Sequence, residues 1–326
     1  MLGSGLPTRI QTMPAHFTNS ILMVRPAAFR ANPGTMASNA FQDQGQVDPG
    51  ELQARALAEF DGALASLEAA GVRVLVLQDD LEPETPDSIF PNNWFTTHGD
   101  GTLCLFPMEE RSRRAERRLD LLLPALSTGG FDLRSVDDSL VQRFESRERY
   151  LEGTGSMVLD RGARIAFACA SSRTHGEALE AFCELRGYRA QRFEAIDGAG
   201  LAYYHTNVIL ALGQDFAVLC LEAVPGDQRA ALTRSVSEGG RKLVTITRQQ
   251  AQRFAGNLLE LRTREGGRLV LLSCSAEAAL EPEQLRALRG SDAQLLALSI
   301  PNIERYGGGG VRCMLAEIFL PRALDR

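Results

Sequence analysis

The sequence lacks a CxxC pair, a cysteine and histidine cluster at zinc-ligand spacing, a long apolar run and a basic excess. Its six cysteines, Cys104, Cys169, Cys183, Cys220, Cys274 and Cys313, are spread over 326 residues, which excludes the usual structural zinc sites. No run reaches the roughly 18 apolar residues of a membrane span, and "MLGSGLPTRIQTMPAH" lacks the charged start and apolar centre of a leader, so a cytosolic protein is expected. A net charge of -6 and a pI near 5.4 argue against nucleic acid or an anionic membrane as the main partner. A small molecule remains. Oligomeric state is open, and a homo-oligomer fits this composition. With 44% hydrophobic and 23% charged residues the chain can bury a full core, in one large domain or two small ones.

What is present is a repeat. The stretches 93–108, 156–168, 207–221 and 257–273 each read as a β-hairpin, the last three turning at Asp-Arg-Gly, Gly-Gln-Asp and Glu-Gly-Gly. Helical spacing follows each, at 111–126, 175–187, 225–240 and 281–290, and a further strand such as 242–247 can follow the helix. The strand 20–26 completes the set with a helix capped by Asp48, opened by Pro49, and carrying Leu57, Phe60, Leu64 and Leu67 on one face. Residues opening the hairpins are Asn93, Glu152, His205, Asn257 and Cys313, separated by roughly 50 to 60 residues, a period that points to radial or stacked architecture. Equivalent strand ends around one axis would bring these five polar side chains into one pocket. Cys104, Cys169, Cys220 and Cys274 lie in apolar strand-like runs and are expected to be buried and inert. Four glycines, 307–310, lead into Cys313 instead. His16, His98 and His175 have no comparable placement and are read as structural or exposed.

The segments "PDSIFPNNWF" (86–95), "RSRRAE" (111–116), "LEGTGSMVLD" (151–160), "ASSRTH" (170–175), "YHTNVIL" (204–210) and "GGGGVRCML" (307–315) together resemble the guanidine-modifying superfamily of arginine deiminases, dimethylarginine dimethylaminohydrolases and amidinotransferases. The stretch 21–42 looks closest to a bacterial branch associated with citrulline utilisation. The resemblance implies an α/β pentein fold, a five-bladed propeller of ββαβ repeats about a pseudo-fivefold axis, as a single domain over 1–326. It implies Cys313 as nucleophile, His205 as general acid and base, and Glu152 as the partner of His205. It also implies Arg173 as the clamp on a substrate α-carboxylate, helped by Arg113 or, nearly as well, Arg114, and Asp87 as the acceptor for an α-ammonium. Thiolate attack assisted by an imidazolium that later protonates departing ammonia suits these residue types and needs no metal or organic cofactor.

Two positions depart from the deiminase pattern, which has aspartates where this chain has Asn93 and Asn207. Losing two carboxylates disfavours a buried cation, whereas a neutral ureido group needs only hydrogen bonds, including a donor for its carbonyl oxygen. The expected substrate is therefore citrulline, cleaved to ornithine, ammonia and carbon dioxide through a thioester. The rivals are an arginine or methylarginine hydrolase yielding citrulline, an amidinotransferase, and a non-catalytic pentein that binds the ribosome, which would have no need of the cysteine, histidine and glutamate together. The stretch 30–47 has the composition of a long ordered loop or lid.

Overall fold

A computed structural model describes residues 16–36, 39, 41–43, 45 and 47–323. The N-terminal stretch read for a leader lies outside these residues apart from His16, as do positions 37, 38, 40, 44 and 46 of the expected loop. The described strands form five three-stranded sheets of one plan, in which a hairpin pairs antiparallel and a helical crossover returns a third strand parallel to the second. One sheet holds Phe95–Thr97, Thr102–Leu105 and Ser135–Asp137; the next holds Val158–Asp160, Ile165–Cys169 and Arg189–Phe193. The third is Leu210–Leu212, Phe216–Leu219 and Lys242–Thr245, and the fourth Leu259–Arg262, Arg268–Ser273 and Gln294–Leu298. The fifth joins the chain ends, with Ala316–Glu317 antiparallel to Ser20–Arg25 and Arg73–Gln78 parallel to it. The helix Pro49–Ala69 makes that crossover, capped by the Asp48 carboxylate on Glu51 N at 3.0 Å.

Central strands are apolar along their middles because both faces are covered, with Ser20, Arg25, Thr102, Arg268 and Ser273 at strand ends. Along Ile165–Cys169, Ile165, Phe167 and Cys169 enter one apolar cluster while Ala166 and Ala168 enter another. The same alternation of period two divides Leu103 and Leu105 from Cys104 and Phe106, and Ile21 and Met23 from Leu22 and Val24. Four clusters thereby link each sheet to its neighbours, and the sheet of Arg268–Ser273 to the one that joins the termini.

Three details differ from the sequence reading. The segment 111–126 is two helices, Arg111–Arg114 and Leu119–Thr128, with a break at 115–118. Cys274 is exposed, because it opens the helix Cys274–Ala279 instead of continuing the strand before it. On Pro49–Ala69 the buried stripe is Leu52, Ala56, Phe60, Ala63 and Leu67, with Leu57 and Leu64 only half-buried. No helix among the described residues is long and apolar enough to cross a membrane.

Candidate active site

The five repeat residues are not the first residues of strands. Asn93 ends the turn Pro91–Asn93, Glu152 and His205 each precede a single turn, Gly153–Ser156 and Thr206–Val208, Asn257 lies two residues before Leu259–Arg262, and Cys313 sits within Val311–Met314. A strand residue must face one side of its sheet or the other. A residue on the turn ahead of it is released from that alternation, so these side chains can meet beyond the sheet ends.

Two pairs among them meet at hydrogen-bonding distance, Glu152 with His205 and Asn257 with Cys313. His205 Nε2 is 2.8 Å from Glu152 Oε2, and Glu152 Oε1 accepts from Glu109 N at 3.0 Å. The Cys313 sulfur has Asn257 Nδ2 at 3.3 Å and Asn207 Nδ2 at 3.6 Å. Arg113 Nη1 donates to Asn93 Oδ1 at 2.8 Å while its Nε and Nη2 grip Glu116, both at 2.9 Å. Cys313, His205, Asn93, Asp87, Arg113 and Arg173 line one narrow cavity of about 20 Å³, with Tyr204 and 307–309 beside them. Glu152 stands behind His205, and Asn207 reaches the sulfur without lining the cavity. Arg114 turns away to the carbonyls of Met108 and Glu109, so of the two neighbouring arginines it is Arg113 that lines the cavity.

Part of the expected loop roofs this cavity. Thr35, Asn39 and Gln42 line it, and Asn39 Nδ2 and Gln42 Nε2 donate to the carbonyls of Gly308 and Gly307 at 3.2 and 3.0 Å. Gly308 has φ of 65°, and a Cβ there would lie 2.6 Å from Asn39 Nδ2, so this position requires glycine. Arg173 is buried, with Nε 3.3 Å from Glu109, Nη1 3.5 Å from Glu152 and Nη2 on the Thr35 carbonyl at 3.3 Å.

Two polar atoms of the cavity walls find no partner among the described residues. Asp87 accepts from Asn32 and Thr35 on Oδ2, at 2.8 and 3.3 Å, but nothing reaches its Oδ1. Asn93, its oxygen occupied by Arg113, has no acceptor for Nδ2. One spare acceptor and one spare donor are thus built into a buried wall, where each is costly until a ligand answers it.

Burial dominates the electrostatics. It lowers the His205 imidazole, the Glu152 carboxylate works in the opposite direction, and the result lies at about 4. Burial would raise Glu152, but Arg173, the His205 hydrogen bond and Arg113 outweigh it and keep that carboxyl well below the usual range. Burial raises Asp87 and also the Cys313 thiol, the latter opposed by the Asn257 hydrogen bond. Burial thus works against both charged forms, the imidazolium and the thiolate, that attack assisted by an imidazolium would use. His98 and His175 are structural, the first paired with Thr96 at 3.0 Å and the second accepting from Tyr150 N at 3.0 Å.

Sequence reading assigned no role to Asn257, although the repeat contained it, nor to Tyr204, whose hydroxyl donates to the Gly308 carbonyl at 2.6 Å. Glu116 was also missed, and its spacing three residues after Arg113 was the available signal.

Comparison with known proteins gives the arrangement a family. The profile described as N,N dimethylarginine dimethylhydrolase, eukaryotic, matches residues 25–320. Among solved structures, the N-terminal domain of ArgZ, an arginine dihydrolase from the ornithine-ammonia cycle in Cyanobacteria, is similar with a TM-score of 0.69 and 14% identity, over 92% of this chain and 99% of that one. AgrE bound to L-arginine has a TM-score of 0.69 and 16% identity over 92% of this chain, which spans only 40% of AgrE. SxtG, an amidinotransferase from Microseira wollei, has a TM-score of 0.62 and 15% identity over 95% of this chain and 96% of that one. No curated protein sequence matches. With nearly its whole length covered by that profile, the chain belongs to the N,N dimethylarginine dimethylhydrolase family of C–N hydrolases, within the guanidine-modifying pentein superfamily.

Proposed function

We propose that this protein is a cysteine-dependent hydrolase of the ureido group of L-citrulline, releasing ornithine, ammonia and carbon dioxide. The observation that carries the substrate choice is Asn93. Arg113 already donates to its amide oxygen while Nδ2 is unanswered, so the unmet demand that Asn93 brings to the cavity is for an acceptor. A guanidinium has donors alone and cannot answer it, whereas a ureido oxygen can. Two arginines, Arg113 and Arg173, already line the cavity, and a third cation would have to share Asp87 and Glu152 with them.

In the proposed reaction the thiol proton of Cys313 passes to His205 and the sulfur attacks the ureido carbon. Asn207 and Asn257 amides steady the thiolate, and Asn93 Nδ2 donates to the developing oxyanion. His205, held by Glu152, returns the proton to departing ammonia. A carbamoyl thioester remains, and water deprotonated by His205 cleaves it to an N-carboxylate that loses carbon dioxide. Asp87 Oδ1 receives the α-ammonium, and Arg173 with Arg113 faces the α-carboxylate. We further infer that the five sheets close about one axis as a single domain, which would place all five repeat residues at its centre.

A second reading is supported by the arginine named for ArgZ and AgrE: a dihydrolase would first remove one ammonia from arginine and then perform the same ureido hydrolysis. Purified protein incubated separately with L-citrulline, L-arginine and dimethylarginine distinguishes these. Ornithine from citrulline alone supports the proposal, ornithine from both citrulline and arginine supports the dihydrolase, and citrulline accumulating from arginine or dimethylarginine overturns the role given to Asn93. Cys313→Ser should lower turnover at least about 10³-fold in any of the hydrolytic cases.

A further inference from the structure

A second cavity, of about 490 Å³, lies outside the catalytic one, with Phe41, Tyr203, Phe254, Arg253 and Glu304 in its wall. Three features set it apart. Phe41 meets Phe254 and Tyr203 with ring centroids 5.1 and 6.4 Å apart, making an aromatic wall. Phe254 is held at φ of 58°, a left-handed conformation that is uncommon for a bulky residue and collects at functional positions. Glu304 is only 8% exposed, and while its Oε2 takes the Ser275 hydroxyl, its Oε1 has no partner among the described residues. It sits in a π-helical turn, Ile303–Gly307, another feature concentrated at functional sites. Burial raises the Glu304 carboxyl, Ser273, Ser275 and Arg253 counter it, and Glu59 adds to the rise.

A buried carboxylate oxygen without a donor, an aromatic wall and an arginine at the same cavity match a molecule with an ammonium, a hydrocarbon stem and a carboxylate. We propose that this cavity binds a small α-amino acid with a hydrocarbon side chain, its ammonium on Glu304 Oε1, its carboxylate toward Arg253 and its stem against Phe41, Tyr203 and Phe254. The site adjoins the catalytic machinery on three sides. Glu304 lies in the turn that runs into 307–310, Phe254 lies three residues before Asn257, and Phe41 lies between Asn39 and Gln42 of the roof. An occupant would brace the glycine loop, the sulfur's donor and the roof together, which makes it a site for an effector distinct from the substrate.

The test is calorimetric titration of the full chain with L-leucine, 3-methylbutan-1-amine and 4-methylpentanoate. Saturable binding of leucine, weaker binding of the amine and none of the acid is expected, with Glu304→Gln, which keeps the Ser275 contact, weakening leucine at least about tenfold. Arg253→Met should bring leucine down to the affinity of the amine. No saturation by leucine or the amine up to about 10 mM overturns the proposal. So does leucine binding that Glu304→Gln leaves unchanged, which would put the ligand in the catalytic cavity or elsewhere; a melting curve for each variant checks that it is folded.

Discussion

A primary amide and a carboxylate have nearly the same shape, so the exchange that matters most at the residue scale is Asn93→Asp. The aspartate keeps the Arg113 contact but loses the Nδ2 hydrogens that Asn93 offers. kcat/KM for citrulline should fall about 10- to 100-fold, the cost of leaving one buried acceptor unanswered, while arginine competes better than before. Equal loss on both substrates would mean that Asn93 does not read the head group. His205 sets the acid limb. Because the base must be neutral and burial holds it at about 4, kcat/KM should decline only as the pH falls through that region, well below the range of a free imidazole. A limb near pH 6.5 would show that the Glu152 hydrogen bond outweighs burial in solution. The residue types of this site could be read from the chain because their chemistry is intrinsic, but the protonation states could not. Those depend on how completely the fold removes water from Glu152 and His205, and on Arg113 and Arg173, which come from other segments.

At the scale of elements, the single turns ahead of the strands hold the site, and Gly155 shows how closely. A Cβ at Gly155 would lie 2.3 Å from Asn93 Nδ2 and 2.7 Å from His205 Nδ1. Gly155→Ala should therefore displace both, lowering kcat more than tenfold and costing about 1–3 kcal/mol of stability by overpacking; denaturant melts beside turnover assays check this. A large loss of activity with the melt unchanged would show that displacement of the two side chains, not strain, is the main effect. Gln42→Ala and Asn39→Ala remove the bonds from the roof to 307–308 and should raise KM more than they lower kcat, measured by initial rates. Strand and helix periods were legible because the central strands are apolar on both faces along their middles and helices such as Pro49–Ala69 and Gly176–Arg186 have a buried stripe. Cys274 misled for a reason of the same scale. An apolar run says nothing about where a strand stops, and here Ser273 accepts from Ala276 N at 3.1 Å, starting a helix.

Over the whole molecule, ionisable groups buried in the catalytic cavity and behind it couple the fold to pH. His205 has a folded value of about 4 against an ordinary 6.5, so the unfolded chain binds the proton first as pH falls. Its contribution is present above 6.5 and is lost on the way down to about 4, amounting to a few kcal/mol. Glu152, also depressed, adds a further loss below its ordinary value of 4.5. Thermal melting between pH 7 and 4 should show Tm falling less, or rising more, in His205→Gln than in the parent, because Glu116 and Asp87, raised by burial, act in the opposite direction in both proteins. An unchanged slope in the variant would assign the acid sensitivity elsewhere.

The repeat unit, the order of strands and helices, and the identities of the cysteine, histidine, glutamate and asparagines follow from the sequence alone. Each rests on local periodicity or on the chemistry of a single side chain, which are properties a linear chain carries. The tertiary structure decided which atoms of those side chains remain available. Asn93 has a satisfied oxygen and an unanswered Nδ2 because Arg113, 20 residues away, donates to its oxygen. Asn207 and Asn257 serve the sulfur because their turns pack beside the one bearing Cys313. The first sheet element, Ser20–Arg25, finds its hairpin partner in Ala316–Glu317, at the other end of the chain. Hydrogen-bond occupancy and loss of solvent are set by groups distant in sequence, so they exist only once the chain has closed on itself.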